Sequence, residues 1–136
     1  MDDVDKQLLA LLRANSRESF INLARGVGAS EGTVRARVKR LVEEGVISRF
    51  TIRTAGQAVK ALIEVRVQSN VHTEEVAGQI AQWEGVEALW ELTGDDDIVV
   101  VADCQTPGKL NDIIDAIRRI PGIASTRSRL ILKEYG

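Results

Sequence analysis

Residues Thr33–Leu41 read TVRARVKRL, and four of these nine positions are basic. The whole chain of 136 residues nonetheless carries a formal net charge of −2. On a helical wheel at about 100° per residue, Val34, Val38, Leu41 and Val42 gather on one side and form a core stripe. Opposite lie Gly32, Ala36, Lys39 and Arg40, with Thr33 and Arg37 beside them. Small side chains let a helix approach base edges closely, and Arg and Lys around them can neutralise phosphates or read guanine. Taken alone, a basic helix face is more often simply a solvated face. The residues upstream favour the sharper reading.

Ser30 is placed to cap this helix, which is expected to run to about Glu44 and to end at Gly45. A shorter helix fits Phe20–Val27, with Ser19 as its cap. Ala24, Gly28 and Val34 have the spacing of a helix-turn-helix: a small residue for close contact, a turn glycine, and a shared core residue. Before them, VDKQLLALL places Val4, Leu8, Leu11 and Leu12 on one face, with Asp2, Asp3 and Asp5 at the favourable end of the helix dipole. Val46–Ile52 reads as a strand. Three helices and a strand give a winged helix-turn-helix over residues 1–52, with Ser30, Gly32, Thr33, Arg35, Ala36, Arg37, Lys39 and Arg40 facing double-stranded DNA.

From Ala61 the pattern changes. ALIEVRV alternates as a strand does. Thr73 is expected to cap a helix with Val76, Ala77, Ile80 and Trp83 on its core face. VEALWELTG and IVVVADC are strands joined by the turn GDDD. Thr106 caps a helix with Pro107 at its first position and Leu110, Ile113, Ile114 and Ile117 inward. A last strand runs from Ile123 to about Lys133. The order βαββαβ fits a ferredoxin-like α+β domain over 61–136, with helices on one sheet face. The other face needs a cover, and self-association supplies one. Residues 53–60 then form a hinge.

Charge divides the same way. Residues 1–60 carry 11 Lys and Arg against 7 Asp and Glu; residues 61–136 carry 7 against 13. A basic module that meets a polyanion is joined to an acidic one with another task. Cys104 is the sole cysteine and His72 the sole histidine, which excludes a disulfide framework within the chain and leaves very little for a His/Cys metal site or a Ser–His–Asp triad. No enzyme activity and no cofactor are expected. No apolar run nears the roughly 20 residues of a membrane span, and MDDVDKQ has no apolar signal core, so a cytoplasmic protein without membrane contact is expected. Cys104 reads as a strand-end residue, His72 as a loop residue, and Trp83 and Trp90 as core or interface anchors.

Gly94 with Asp95, Asp96 and Asp97 is the most pointed cluster. Turn amides there can hold a carboxylate, and an aspartate can hold an ammonium, the two ends of a free amino acid. Thr126 and Ser128 can add hydroxyls if they face the same pocket. A solvated acidic turn is the plainer alternative. A metal on the three aspartates is disfavoured, because consecutive side chains diverge. A ligand with a basic side chain would use the surplus acids, so lysine or arginine is the first expectation.

Both modules together resemble the Lrp/AsnC family, the feast/famine transcription regulators. NLARGVGAS followed by TVRARVKRLVEEGVI is similar to the family's recognition region. VEALWELTGDDDIVVV is similar to its strand–turn–strand signature, with Gly94 and Asp97 at the fixed points. The resemblance implies a sequence-specific DNA-binding regulator whose C-terminal domain, called RAM, makes homodimers that assemble into octamers or similar rings. It also implies an amino-acid effector between dimers near Gly94, Asp97, Thr126 and Ser128. Asp96 stands where the family is commonly aromatic, and the 53–60 connection looks short. An architectural DNA-wrapping protein without effector is the alternative reading.

Overall fold

A computed structural model describes residues 1–136, which divide into two compact units, Met1–Thr54 and Ala55–Gly136.

The N-terminal unit holds α1 (Asp3–Ala14), α2 (Phe20–Val27) and α3 (Glu31–Glu43). Each start is capped by a side chain that satisfies an otherwise orphaned amide. Asp2 accepts from the Asp5 amide at 2.9 Å while Asp5 accepts from the Asp2 amide at 3.1 Å, a reciprocal capping box. Ser19 accepts from the Asn22 amide and Ser30 from the Thr33 amide. Gly28, at φ 69°, closes α2 in a left-handed conformation that glycine adopts without strain. Leu8, Leu12, Leu23, Ala24, Val34 and Val38 form the core.

Two expectations for this unit are corrected. Val46–Ile52 forms no strand; a strand needs a ladder partner, and none lies within the unit. Val42, counted with the core stripe, is 44% exposed. It falls on the margin of that stripe, about 70° from its centre.

The C-terminal unit has the expected βαββαβ order: β1 (Val59–Val67), α4 (Thr73–Ile80), β2 (Val86–Glu91), β3 (Ile98–Cys104), α5 (Pro107–Arg119) and β4 (Ile123–Leu130). The sheet order is β2-β3-β1-β4, antiparallel throughout. Ala61, Ile63 and Val65 on β1 and Ile98, Val100 and Ala102 on β3 are fully buried, packed with Val76, Ile80, Leu110, Ile113 and Ile117 of the two helices. Thr106 accepts from the Lys109 amide, with Pro107 beginning α5. Thr73 is not a cap: it is the first residue of α4, and His72 precedes it without a capping bond. Trp83 is half-buried against the core. β4 stops at Leu130, short of Lys133.

Residues 55–60, expected in the hinge, belong to the C-terminal unit. The Gln57 amide donates to Asp103 Oδ1 at 2.8 Å, and its side-chain amide donates to the Asp103 carbonyl. β1 is under way by Val59.

The second sheet face carries no helix. Its residues follow from the register: Leu62 pairs with Val101 and Arg129, Glu64 with Val99 and Arg127, and Trp90 with Val99. Trp90 is 53% exposed there. In the middle sits Glu64, buried, with Arg127 at 2.8 Å and Arg129 also bonded to its carboxylate. The Arg127 hydrogen bond is the main reason its carboxyl is held below the usual range.

Candidate nucleic-acid interface and ligand turn

The outward face of α3 is built from Gly32, Thr33, Ala36 and Lys39, with Ser30 at the cap and Arg35 to one side, all exposed. A Cβ added at Gly32 would meet open space. Packing within the unit therefore does not require glycine at that position. The Ser30 hydroxyl is bonded to the Thr33 hydroxyl at 2.8 Å. Lys39 is 77% exposed, with Glu43 a loose 3.9 Å away. Arg35 pairs with Glu31 at 2.9 Å and lies over the Phe20 ring, 4.4 Å from its centre.

Arg37 and Arg40 differ from the expected open cations. Arg37 is only 25% exposed and donates to Asp2 at 2.7 Å and Asp5 at 3.0 Å. Arg40 donates to Asp5 at 2.6 Å, yet its side chain stays 46% exposed, with Glu44 4.0 Å away. On the wheel Arg37 lies between the core stripe and the outward face, so a long side chain can turn back toward α1. The sequence offered a signal in the acidic first turn of α1, but its reading as a dipole effect missed these partners.

The second cluster is the β2–β3 turn. Gly94 has φ 114°, which strongly favours glycine. The three aspartates diverge. Asp95 is exposed, and its carbonyl accepts from Arg66 Nε at 2.7 Å. Asp96 pairs with Arg127 at 3.3 Å. Asp97 accepts the Val67 amide at 2.7 Å through Oδ2, while its own amide donates to the Val65 carbonyl. Asp97 therefore ties the turn to β1, and one of its oxygens is occupied before any ligand arrives.

Thr126 and Ser128 pair with Val65 and Ile63, whose side chains face the helices. Opposed residues of an antiparallel pair share a face, so both hydroxyls lie on the helix side. The Thr126 hydroxyl accepts from Arg118 Nε at 3.0 Å. Asp96 reaches the other side through Arg127. The expected convergence of Asp96 with Thr126 and Ser128 is therefore not formed within this chain. Sequence reasoning also missed the Glu64–Arg127–Arg129 cluster. Its signal was the i, i+2 spacing of the two arginines on β4.

Cys104 is buried, and burial raises its thiol pKa, which suits a packed strand end. It borders a cleft of about 320 Å³ with Gly85, Lys109 and Asp112. No helix is long and apolar enough to cross a membrane.

Residues 60–136 match the family model described as the Lrp/AsnC ligand binding domain, and residues 1–48 match one described as winged helix-turn-helix DNA-binding. The chain is 34% identical over 136 residues to the HTH-type transcriptional regulator LysM of Sulfurisphaera tokodaii, covering 99% of this chain and 97% of that one. It is 30% identical over 139 residues to the regulator FL11 of Pyrococcus horikoshii, covering 99% and 91%. Among solved structures, the leucine response regulatory protein of Mycobacterium tuberculosis superposes with a TM-score of 0.85 at 25% identity, covering 100% of this chain and 95% of that one. A Neisseria meningitidis transcriptional regulator solved with L-methionine superposes at 0.88 with 22% identity, covering 100% and 92%, a likeness of fold. With both of its units matched in this order and full-length relatives above 30% identity, the chain is a DNA-binding transcriptional regulator rather than an enzyme, and a member of the Lrp/AsnC family.

Proposed function

We propose that the outward face of α3 enters the DNA major groove, with Ser30, Gly32, Thr33, Arg35, Ala36 and Lys39 against it. The observation that carries this reading is Gly32. It is the second residue of α3, where a residue with a side chain would serve the helix at least as well, yet nothing within the unit fills the space beside it. An external surface that approaches closely explains that choice. A second copy covers the open sheet face around Leu62, Val99, Val101 and Trp90, and these homodimers assemble further into octamers or similar rings.

The Gly94–Asp97 turn is proposed to bind a free amino acid at a contact between dimers. The backbone beside Gly94 receives the carboxylate, and exposed Asp95 meets a basic side chain. Because Asp97 is partly occupied by Val67, the ammonium pairs with its remaining oxygen or with Asp96. Thr126 and Ser128 contribute only if a neighbouring chain brings them near. Lysine or arginine is favoured. Adjacent acids repel a ligand carboxylate, so a dissociation constant on the order of tens of micromolar, about −6 kcal/mol, is expected. Calorimetry with lysine, arginine, methionine and glutamate tests this. Lysine or arginine should bind best, and Asp95→Asn should weaken them selectively. If glutamate binds best, or no amino acid binds, the effector reading fails. In the second case a DNA-wrapping protein without effector becomes the better account.

A further inference from the structure

The Asp5 side chain is 1% exposed. An ionised carboxylate in such a position is tolerated only when its oxygens are satisfied. Here Oδ1 accepts from Arg37 at 3.0 Å, and Oδ2 accepts from Arg40 at 2.6 Å and from the Asp2 amide at 3.1 Å. Asp2 completes the set, accepting the Asp5 amide through Oδ1 and Arg37 through Oδ2 at 2.7 Å. Two carboxylates and two guanidinium groups thus form a neutral network between the start of α1 and the middle of α3, with Arg37 25% exposed and Arg40, at its edge beside Glu44, 46% exposed. Half of the positive charge in TVRARVKRL lies inside it.

The carboxyl pKa values follow from this geometry. The Arg37 hydrogen bond is the chief cause of the drop in the Asp2 carboxyl pKa to about 2. Burial pushes Asp5 upward, but its bonds from Asp2 and Arg37 and the charge of Arg40 outweigh that and leave it below its ordinary value.

We propose that Asp5, assisted by Asp2, is a positioning and specificity-determining residue for DNA binding: it fixes α3 through Arg37 and Arg40 and withholds both guanidinium groups from phosphate. Phosphate contacts carry affinity without sequence information. Removing two cations from that role lowers binding to arbitrary DNA and leaves discrimination to the small residues and Lys39 on the outward face. The same pairs resist rotation of α3 about its axis, which sets the side chains presented to the groove. This inference rests on the reading that the outward face of α3 meets DNA.

The test uses the full chain, a short duplex of random sequence, and a duplex selected from a random library by the wild type. Affinity is measured from 50 to 200 mM salt, with thermal unfolding as a check on folding. Asp5→Asn keeps the size and one acceptor but removes the charge. On the random duplex its salt slope should steepen by about 0.9 to 1.8, one or two added phosphate contacts, and its preference for the selected duplex should fall. Over that salt range this is a further change in affinity of roughly 3.5- to 12-fold. A folded Asp5→Asn with unchanged slope and preference overturns the proposal. Arg37→Gln decides independently if Asp5→Asn does not fold. An unchanged slope supports withholding, and a slope shallower by about 0.9 overturns it. Lys39→Ala tests the underlying reading. It should make the slope shallower by about 0.9, and no change there overturns the outward-face assignment and the clamp's role with it.

Discussion

Ser30 has two separable roles, and a pair of substitutions divides them. Its hydroxyl caps α3 by accepting the Thr33 amide at 3.2 Å, and the residue is exposed at the end of the helix proposed to face DNA. Ser30→Ala removes the cap acceptor at a cost of about 1 kcal/mol. That corresponds to roughly fivefold faster hydrogen exchange at the first amides of α3, and to a loss of several degrees in the melting of the helical unit. Ser30→Asp keeps a cap acceptor and adds a negative charge at the favourable end of the dipole, a further gain of about 0.3–1 kcal/mol. Stability should therefore be retained or raised. DNA binding should move the other way: the new charge offsets about one cation, making the salt slope shallower by about 0.9, with affinity below that of Ser30→Ala at 50 mM salt. Exchange measured by NMR and affinity measured by fluorescence anisotropy report the two roles on the same samples. If Ser30→Asp binds DNA as well as wild type, the start of α3 does not approach phosphate. If Ser30→Ala exchanges no faster, the cap contributes nothing.

Three further outcomes are expected. Gly32→Ala should leave the chain as stable or stabilise it by up to about 1 kcal/mol through helix propensity yet weaken DNA binding, because its methyl group occupies the space proposed for close approach; unchanged affinity would sink that proposal. Gly122→Ala should destabilise the C-terminal unit by at least about 2 kcal/mol in urea unfolding, because Gly122 has φ 92° and a Cβ there would overlap the Val71 side chain. Acid should destabilise the fold: Asp2 and Asp5 lie below their ordinary 3.8 and Glu64 below 4.5 when folded. Depressed carboxylates contribute stability that is complete above the unfolded pKa and lost as pH falls through the folded one. The melting temperature should thus drop between about pH 4.5 and 2, and a flat profile would contradict the ion-pair networks described.

The elements legible in the sequence are those whose signals are local. Caps at Ser19, Ser30 and Thr106, the turn at Gly28, and the alternation of Ala61, Ile63 and Val65 each depend on a few neighbours, and each is found in the fold. Features missed or misread depend on partners far along the chain. Arg37 turns inward because Asp5 waits 32 positions away. Asp97 is occupied because the Val67 amide, 30 positions away, lies opposite it. The face taken by Thr126 and Ser128 follows from the β1–β4 register, which neither strand announces alone. Val46–Ile52 has the composition of a strand, but composition supplies no ladder partner.

The register of β4 has a consequence for how such a regulator can be altered. Thr126 and Ser128 point to the helix side, while Arg127 and Arg129 point to the open face and grip Glu64. One strand thus writes to two surfaces in alternate letters. Even-numbered positions can be exchanged to retune what the helix side accepts without touching the open face. Odd-numbered positions can drift with the open face while the helix side stays constant. Arg127 is bonded to both the Glu64 cluster and the Asp96 turn, so a change in the open face at this one position is carried into the turn as well.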